Sequence, residues 1–170
     1  MSLKNIEVTD NIISKTIDFV KTQLKDAEGG HDWFHILRVW HNAKLIAKQE
    51  NVDLFIVELG ALLHDIADSK FHNGDESIGP KRARHFLESQ HVHESMIVHI
   101  EHIISNISYK GGNFDQKFTS PELEVIQDAD RLDAIGAVGI ARCFNYGGFK
   151  NRPLYNPDIP PKLNLTKEEY

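Results

Sequence analysis

One cysteine, Cys143, stands in the 170 residues. A lone thiol excludes an internal disulfide and any cysteine-based zinc cluster, and it suits a reducing cytoplasm. A basic excess is missing as well: 25 Asp and Glu outnumber 19 Lys and Arg, for a net charge of -6 with neutral histidines. The cations are scattered, so no DNA or RNA duplex is expected as partner, although a small anion can still be met at a local metal. No stretch approaches the roughly 18–20 apolar residues of a membrane span, and "MSLKNIEVTDNIISK" lacks the apolar core of a signal peptide. Alternating apolar and polar residues are lacking too, so no strand is expected. These absences leave an all-α, soluble, cytoplasmic chain, and its length fits a single domain over 1–170.

Helical periodicity is what the sequence does have. Ile13, Ile17, Val20 and Leu24 predict a first helix capped by Thr9 or Asp10 and ended at Gly29-Gly30. Asp32 caps a second, with Ile36, Val39, Ala43 and Ile46 on one face. "DLFIVELGALLHDIAD", from Asp53 to near Ser69, is apolar on nearly all sides and is expected at the centre of a bundle. A polar helix follows within Ser77–Gln90, with Pro80 in its first turn. Another carries Ile97, Ile100, Ile104 and Ile107 on one stripe. Ser120-Pro121 opens a sixth, read as one helix through Phe144, whose buried stripe runs Ile126, Ala129 or Asp130, Asp133, Ala137, Ile140. From residue 145 the Gly, Pro and Asn content predicts loop or lid. The ending "TKEEY" reads as the first turn of another helix, so the domain is expected to be cut short there.

Histidine is plentiful, with 10 residues, and some fall on the inner faces. His64 and Asp65 end the most apolar helix, His35 neighbours Val39, and Asp130 lies with the apolar stripe of the sixth helix. Burying an ionised carboxylate without a cation costs several kcal/mol, roughly. Two imidazoles and two carboxylates converging from three helices form a mixed N/O set suited to one divalent metal ion, which supplies that cation. Mn2+ and Mg2+ lead, with Ni2+, Fe2+, Zn2+ and Co2+ as alternatives.

The order His35, His64-Asp65, Asp130 resembles the metal-binding signature of the HD-domain phosphohydrolase superfamily. Within it, "GHDWFHILRV", "ALLHDIADSKF" and "DADRLDAIGAVGIAR" resemble a small bacterial subgroup of nucleotide phosphohydrolases, over about Gly30 to Phe144. The resemblance implies an all-helical bundle around a metal and a nucleotide substrate. Cleavage of a (deoxy)nucleoside triphosphate to monophosphate and pyrophosphate comes first, with a 5'-nucleotidase releasing inorganic phosphate as the alternative. It also implies that Asp68, where relatives often carry glutamate, orients or deprotonates the attacking water.

Lys70, Arg131 and Arg38 are candidates for neutralising phosphate, Arg38 equally for pairing with Asp133 or Glu58. His31 lies one turn before His35 and either contacts substrate or merely neighbours the Asp32 cap. Asp133 is either an acceptor fixing a ligand histidine or a salt-bridge partner. His99 and His102 raise a second metal, which the scarcity of nearby acids disfavours. A metal-stabilised nucleotide-sensing module without chemistry is the rival reading, and it needs neither Asp68 nor the cations.

Overall fold

The computed structural model describes residues 3–27, 30–67, 75–108, 116–160 and 162. Among them are seven α-helices and no strand: α1 (Leu3–Gln23), α2 (Trp33–Ala47), α3 (Leu54–Leu63), α4 (Ile78–Ser89), α5 (Glu94–Asn106), α6 (Pro121–Leu132) and α7 (Gly136–Phe149). None is long and apolar enough to cross a membrane.

The expected caps account for the helix starts. Asp32 accepts from the His35 N–H at 3.0 Å, Asp53 from Phe55 at 2.9 Å, and Ser120 from Leu123 at 3.1 Å, ahead of Pro121. Each takes up a backbone donor that a helix leaves without an intrahelical partner. α3 is the central rod and packs on α1, α2, α5 and α6. Seven of its ten residues are buried, so an all-round apolar helix lies where hydrophobic burial stabilises most, at about 1.5–3 kcal/mol per large side chain. Gly60 leaves room for a side chain of α6: a Cβ there would sit 2.6 Å from Ile126 Cδ1. The predicted stripe of α5 is buried at Ile97, Ile100, Ile104 and Ile107.

Four expectations need correction. α1 starts at Leu3 rather than at a Thr9 or Asp10 cap, because Asp10 simply faces water within a longer helix. α3 stops at Leu63, with His64 as its C-cap and turns after it, well short of Ser69. The sixth helix is two. Asp133 is drawn inward as the C-cap of α6, Ile135 is extended, and Gly136 takes φ +63, a conformation natural only to glycine, so the chain leaves in a new direction. Ala137 and Ile140 are therefore exposed instead of buried. Gly139 permits the tight turn, since a Cβ would lie 2.3 Å from the Ala134 carbonyl oxygen. Finally, α7 runs on to Phe149 through a stretch read as loop.

α6 and α3 are also tied at their N-termini. The Glu122 carboxylate accepts from the Asp53 N–H at 3.0 Å and is nearly buried. Burial alone would raise its pKa, but the hydrogen bonds from backbone N–H groups outweigh that and lower it. A depressed carboxyl contributes stability above its unfolded value, near 4.3, that is lost as pH falls through the folded value. Glu122→Gln is therefore expected to cost about 1 kcal/mol at pH 7. The gap to wild type in thermal melts should close below about pH 4. A gap unchanged down to pH 3 would remove the carboxylate from this role.

Candidate metal centre

Three side chains converge where two helices end and one begins. His35 sits in the first turn of α2, His64 caps the C-terminus of α3, and Asp130 lies in the last turn of α6. His35 Nε2 is 3.5 Å and His64 Nε2 3.8 Å from Asp130 Oδ1, and one ligand atom from each of the three lies within 4.8 Å of the others. No other group of three or more metal-capable side chains forms among the described residues. Both histidines are buried, while Asp130 is about one third exposed, so the trio opens to solvent on the Asp130 side. The C-termini of α3 and α6, whose dipole ends favour a positive charge, meet here beside the N-terminus of α2, which acts the other way.

Hydrogen bonding decides which nitrogens face inward. His35 Nδ1 is 2.7 Å from Asp133 Oδ2, and His64 Nδ1 is 2.9 Å from the Ala61 carbonyl oxygen. Carboxylate and carbonyl oxygens only accept, so each ring carries a proton on Nδ1, and Nε2 is the nitrogen turned toward Asp130. Burial lowers the His35 pKa, outweighing the Asp133 hydrogen bond that raises it, and the ring is neutral at pH 7. Two imidazole Nε2 atoms and a carboxylate oxygen thus face one another, a donor set that a cation can bridge. Ligands at about 2.1 Å from an ion stand about 3–3.6 Å apart at angles of 90–120°, close to the spacings seen. The residues present fit a divalent metal.

Asp133 anchors the arrangement and combines both roles considered for it. Besides His35 it accepts from Arg38 Nε at 2.6 Å and Nη2 at 2.9 Å, and from Arg142 Nη1 at 3.2 Å. Burial would raise its carboxyl, yet the hydrogen bonds from His35 and Arg38 hold it well below the usual carboxylate range. Arg38 is thereby assigned to Asp133, while Glu58 pairs with Lys44 at 2.8 Å. Arg142 also donates to the Gly30 carbonyl at 2.9 Å and the Asp133 carbonyl at 3.1 Å, fastening α7 to the entry of α2.

The other candidates divide. Asp65 follows His64 but does not join the trio within 4.8 Å; it lies in the turn after the α3 cap, and its side chain is partly exposed. His31 is brought close, its ring 6.1 Å from that of His35. Arg131 follows Asp130 in sequence, yet its half-exposed head lies 3.8 Å from Asp128, one turn back. Asp68 and Lys70 lie outside the described residues. His99 and His102 do not reach the trio: His99 bonds Ser120 Oγ at 2.9 Å and His102 stacks on Phe118, both near the far end of α6 from Asp130. Sequence reasoning missed Arg142 and Tyr146; as the single charge in "GAVGIARCFNYGGF", Arg142 was the available signal.

A family model described as HD domain matches residues 33–135, which include His35, His64, Asp130 and Asp133. The chain belongs to the HD-domain phosphohydrolase superfamily. As a member it is a metal-dependent phosphohydrolase by class. It is 38% identical over 150 residues to YpgQ of Bacillus subtilis, covering 82% of this chain and 68% of that protein. It spans about two thirds of the length of the curated relatives it matches, 68% and 62%. The crystal structure of YpgQ in complex with ADP superposes with TM-score 0.73 at 37% identity, over 89% of this chain and 73% of the other. An HD-superfamily hydrolase from Bacillus thuringiensis is 46% identical, with TM-score 0.68 over 90% and 73% of the two chains. A Lactobacillus plantarum protein gives TM-score 0.83 at 31% identity, over 94% and 74%.

Proposed function

We propose that this HD-domain protein hydrolyses nucleoside triphosphates, deoxy forms included, to the monophosphate and pyrophosphate, with one divalent ion, Mn2+ or Mg2+, held by His35, His64 and Asp130. Asp65 is the fourth ligand, reached by rotation of its side chain. The facing pair of Nε2 atoms, each ring held by an acceptor behind it, carries this reading. The ADP complex of YpgQ supports a nucleotide as ligand. Cytoplasmic location belongs to the same proposal and rests on the absence of a spanning helix and the single, exposed thiol.

When bound, the ion supplies Lewis acidity, lowering the pKa of a water and polarising a phosphoryl oxygen. The chain supplies position and protons. Asp133 and the Ala61 carbonyl hold the two imidazoles in the ligating tautomer. Asp68 takes the proton of the attacking water, the new P–O bond forms at the α-phosphorus, and the bond to the α,β-bridging oxygen breaks, the electron pair leaving with pyrophosphate. Lys70 and Arg131 meet charge on the phosphoryl oxygens, and His31, beside His35, borders the substrate.

Asp68→Asn keeps size and removes the basic carboxylate. Metal content and nucleotide affinity are expected to survive, while turnover falls by about a hundredfold to ten-thousandfold. Phosphorus NMR of the wild-type products, run alongside, distinguishes pyrophosphate from the orthophosphate that a nucleotidase releases. Near-normal turnover in Asp68→Asn rules out its role as base, and loss of metal there makes it a ligand. No turnover by wild type on any nucleotide, with metal bound, would favour the sensing module.

A further inference from the structure

Beyond the metal ligands, the cations described around the centre are mostly committed. Arg38 and Arg142 are locked on Asp133, and Arg131, 3.8 Å from Asp128, is the one assigned above to the phosphoryl oxygens at the centre. Two others are not. Lys150 Nζ lies 5.6 Å and Arg152 Cζ 5.6 Å from the centroid of the Tyr146 ring, and among the described residues neither forms an ion pair with a carboxylate. In a chain of net charge -6, two cations gathered on one aromatic ring and ion-paired with no carboxylate among the described residues form a local positive site. Tyr146 in turn meets His31 edge-on, with ring centroids 6.4 Å apart, and His31 meets His35 at 6.1 Å. A continuous aromatic path therefore leads from the metal centre to the two cations.

The local backbone builds this placement. Lys150 is the C-cap of α7, Asn151 takes φ +53, and the N–H groups of Asn151 and Arg152 bond back to Gly148 and Gly147 at 3.0 and 2.8 Å. That pairing is a Schellman motif with asparagine at the left-handed position, which asparagine tolerates better than a β-branched residue. It reverses the chain so that Arg152 returns to the ring already flanked by Lys150. Pro153 then bars Arg152 from continuing the helix. The Arg142 bonds to Gly30 and Asp133 hold α7 in register with the centre.

We infer that Lys150 and Arg152, carried on Tyr146, bind the β- and γ-phosphates of a nucleoside triphosphate and so select triphosphates over monophosphates. The inference rests on the proposed nucleotide chemistry and deepens it. A triphosphate whose α-phosphate lies at the His35–His64–Asp130 centre extends its tail past His31 to the two cations. The same pair then stabilises the charge that accumulates on the leaving pyrophosphate.

Calorimetric titration of the Mn2+-loaded protein with a non-hydrolysable nucleoside triphosphate analogue and with the matching monophosphate tests this. Wild type is expected to prefer the triphosphate. Lys150→Gln/Arg152→Gln should weaken the triphosphate about 100-fold and the monophosphate no more than about twofold. Asn151→Val, which strains the left-handed position and displaces Arg152, should weaken the triphosphate by about tenfold, and Asn151→Gly should not. Equal losses for both nucleotides in the double variant, or no loss, overturn the inference while leaving the nucleotide reading intact. Binding of neither nucleotide by wild type overturns both.

Discussion

His64→Ala is expected to purify without its divalent ion and to turn over nucleotide at least about a thousandfold more slowly than wild type. The size follows from the site. Lewis-acid stabilisation by a bound metal supplies several kcal/mol, and each 1.36 kcal/mol is a factor of ten in rate. His64 cannot be replaced by a neighbour, because it is the one group that α3 contributes to the trio within 4.8 Å. Its ring is set by the Ala61 carbonyl of its own last turn, so the substitution removes a preformed ligand and leaves the backbone of α3 intact. Chelating the wild-type protein should have the matching thermodynamic effect. A ligand present at about 100 times its dissociation constant stabilises by about 2.7 kcal/mol, which for a chain of this size corresponds to a melting shift of about 5–10 °C. Elemental analysis and thermal melts with and without chelator check both statements. Full metal content in His64→Ala would falsify the ligand assignment, and an unchanged melt after verified metal removal would separate the ion from the stability of the bundle.

Much of this centre is legible in the sequence because its ligands sit at positions that local rules fix. Asp32, Asp53 and Ser120 announce helix starts, and from them the 3.6-residue period places His35, His64 and Asp130 on inner faces. Asp133 is legible as an alternative for the same reason. The side-chain direction of Asp65 is not, since it follows the α3 cap His64 in a turn, where the helical period no longer sets direction. Nor is the break between α6 and α7. The apolar period runs straight through it, and only the pull of His35, Arg38 and Arg142 on Asp133, together with the left-handed Gly136, turns the chain. His35 and Arg38 lie 98 and 95 positions from Asp133, and Arg142, nine positions on, is itself held by the Gly30 carbonyl across 112 positions. The segment after Phe144 reads as loop because two glycines cost about 1 kcal/mol each in a helix. α7 nevertheless continues through Gly147 and Gly148 and ends in the Asn151 cap, so Lys150 and Arg152 were placed in a loop when they belong to a helix terminus.

Asp133→Ala is expected to be the most destabilising single substitution around the centre, by about 3 kcal/mol, because breaking a buried ion pair strands the charge that remains. The two arginines do not suffer equally. Arg38 is 40% exposed and can turn to water, which keeps the cost at the low end of the usual range for such pairs. Arg142 is 18% exposed and fastened by its Nε to Gly30 and by Nη1 to the Asp133 backbone, so it stays facing the space the carboxylate has left. The same substitution frees His35. Without the acceptor at 2.7 Å, Nδ1 no longer holds the proton preferentially, the ring can rotate, and Nε2 is no longer fixed toward Asp130. Metal affinity should fall by about 10- to 100-fold, as it does when the acceptor behind a ligating histidine is removed. Asp133→Asn separates the two effects. Its amide oxygen can still accept from His35 Nδ1, so affinity should fall less than in the alanine variant, while the lost negative charge leaves both arginines uncompensated and much of the instability remains. Thermal denaturation and a competitive metal titration of the two variants read these quantities independently. Wild-type metal affinity in Asp133→Ala would mean that His35 is oriented by its packing in α2 alone, and the carboxylate would then belong to the clasp between α2 and α7 rather than to the metal centre.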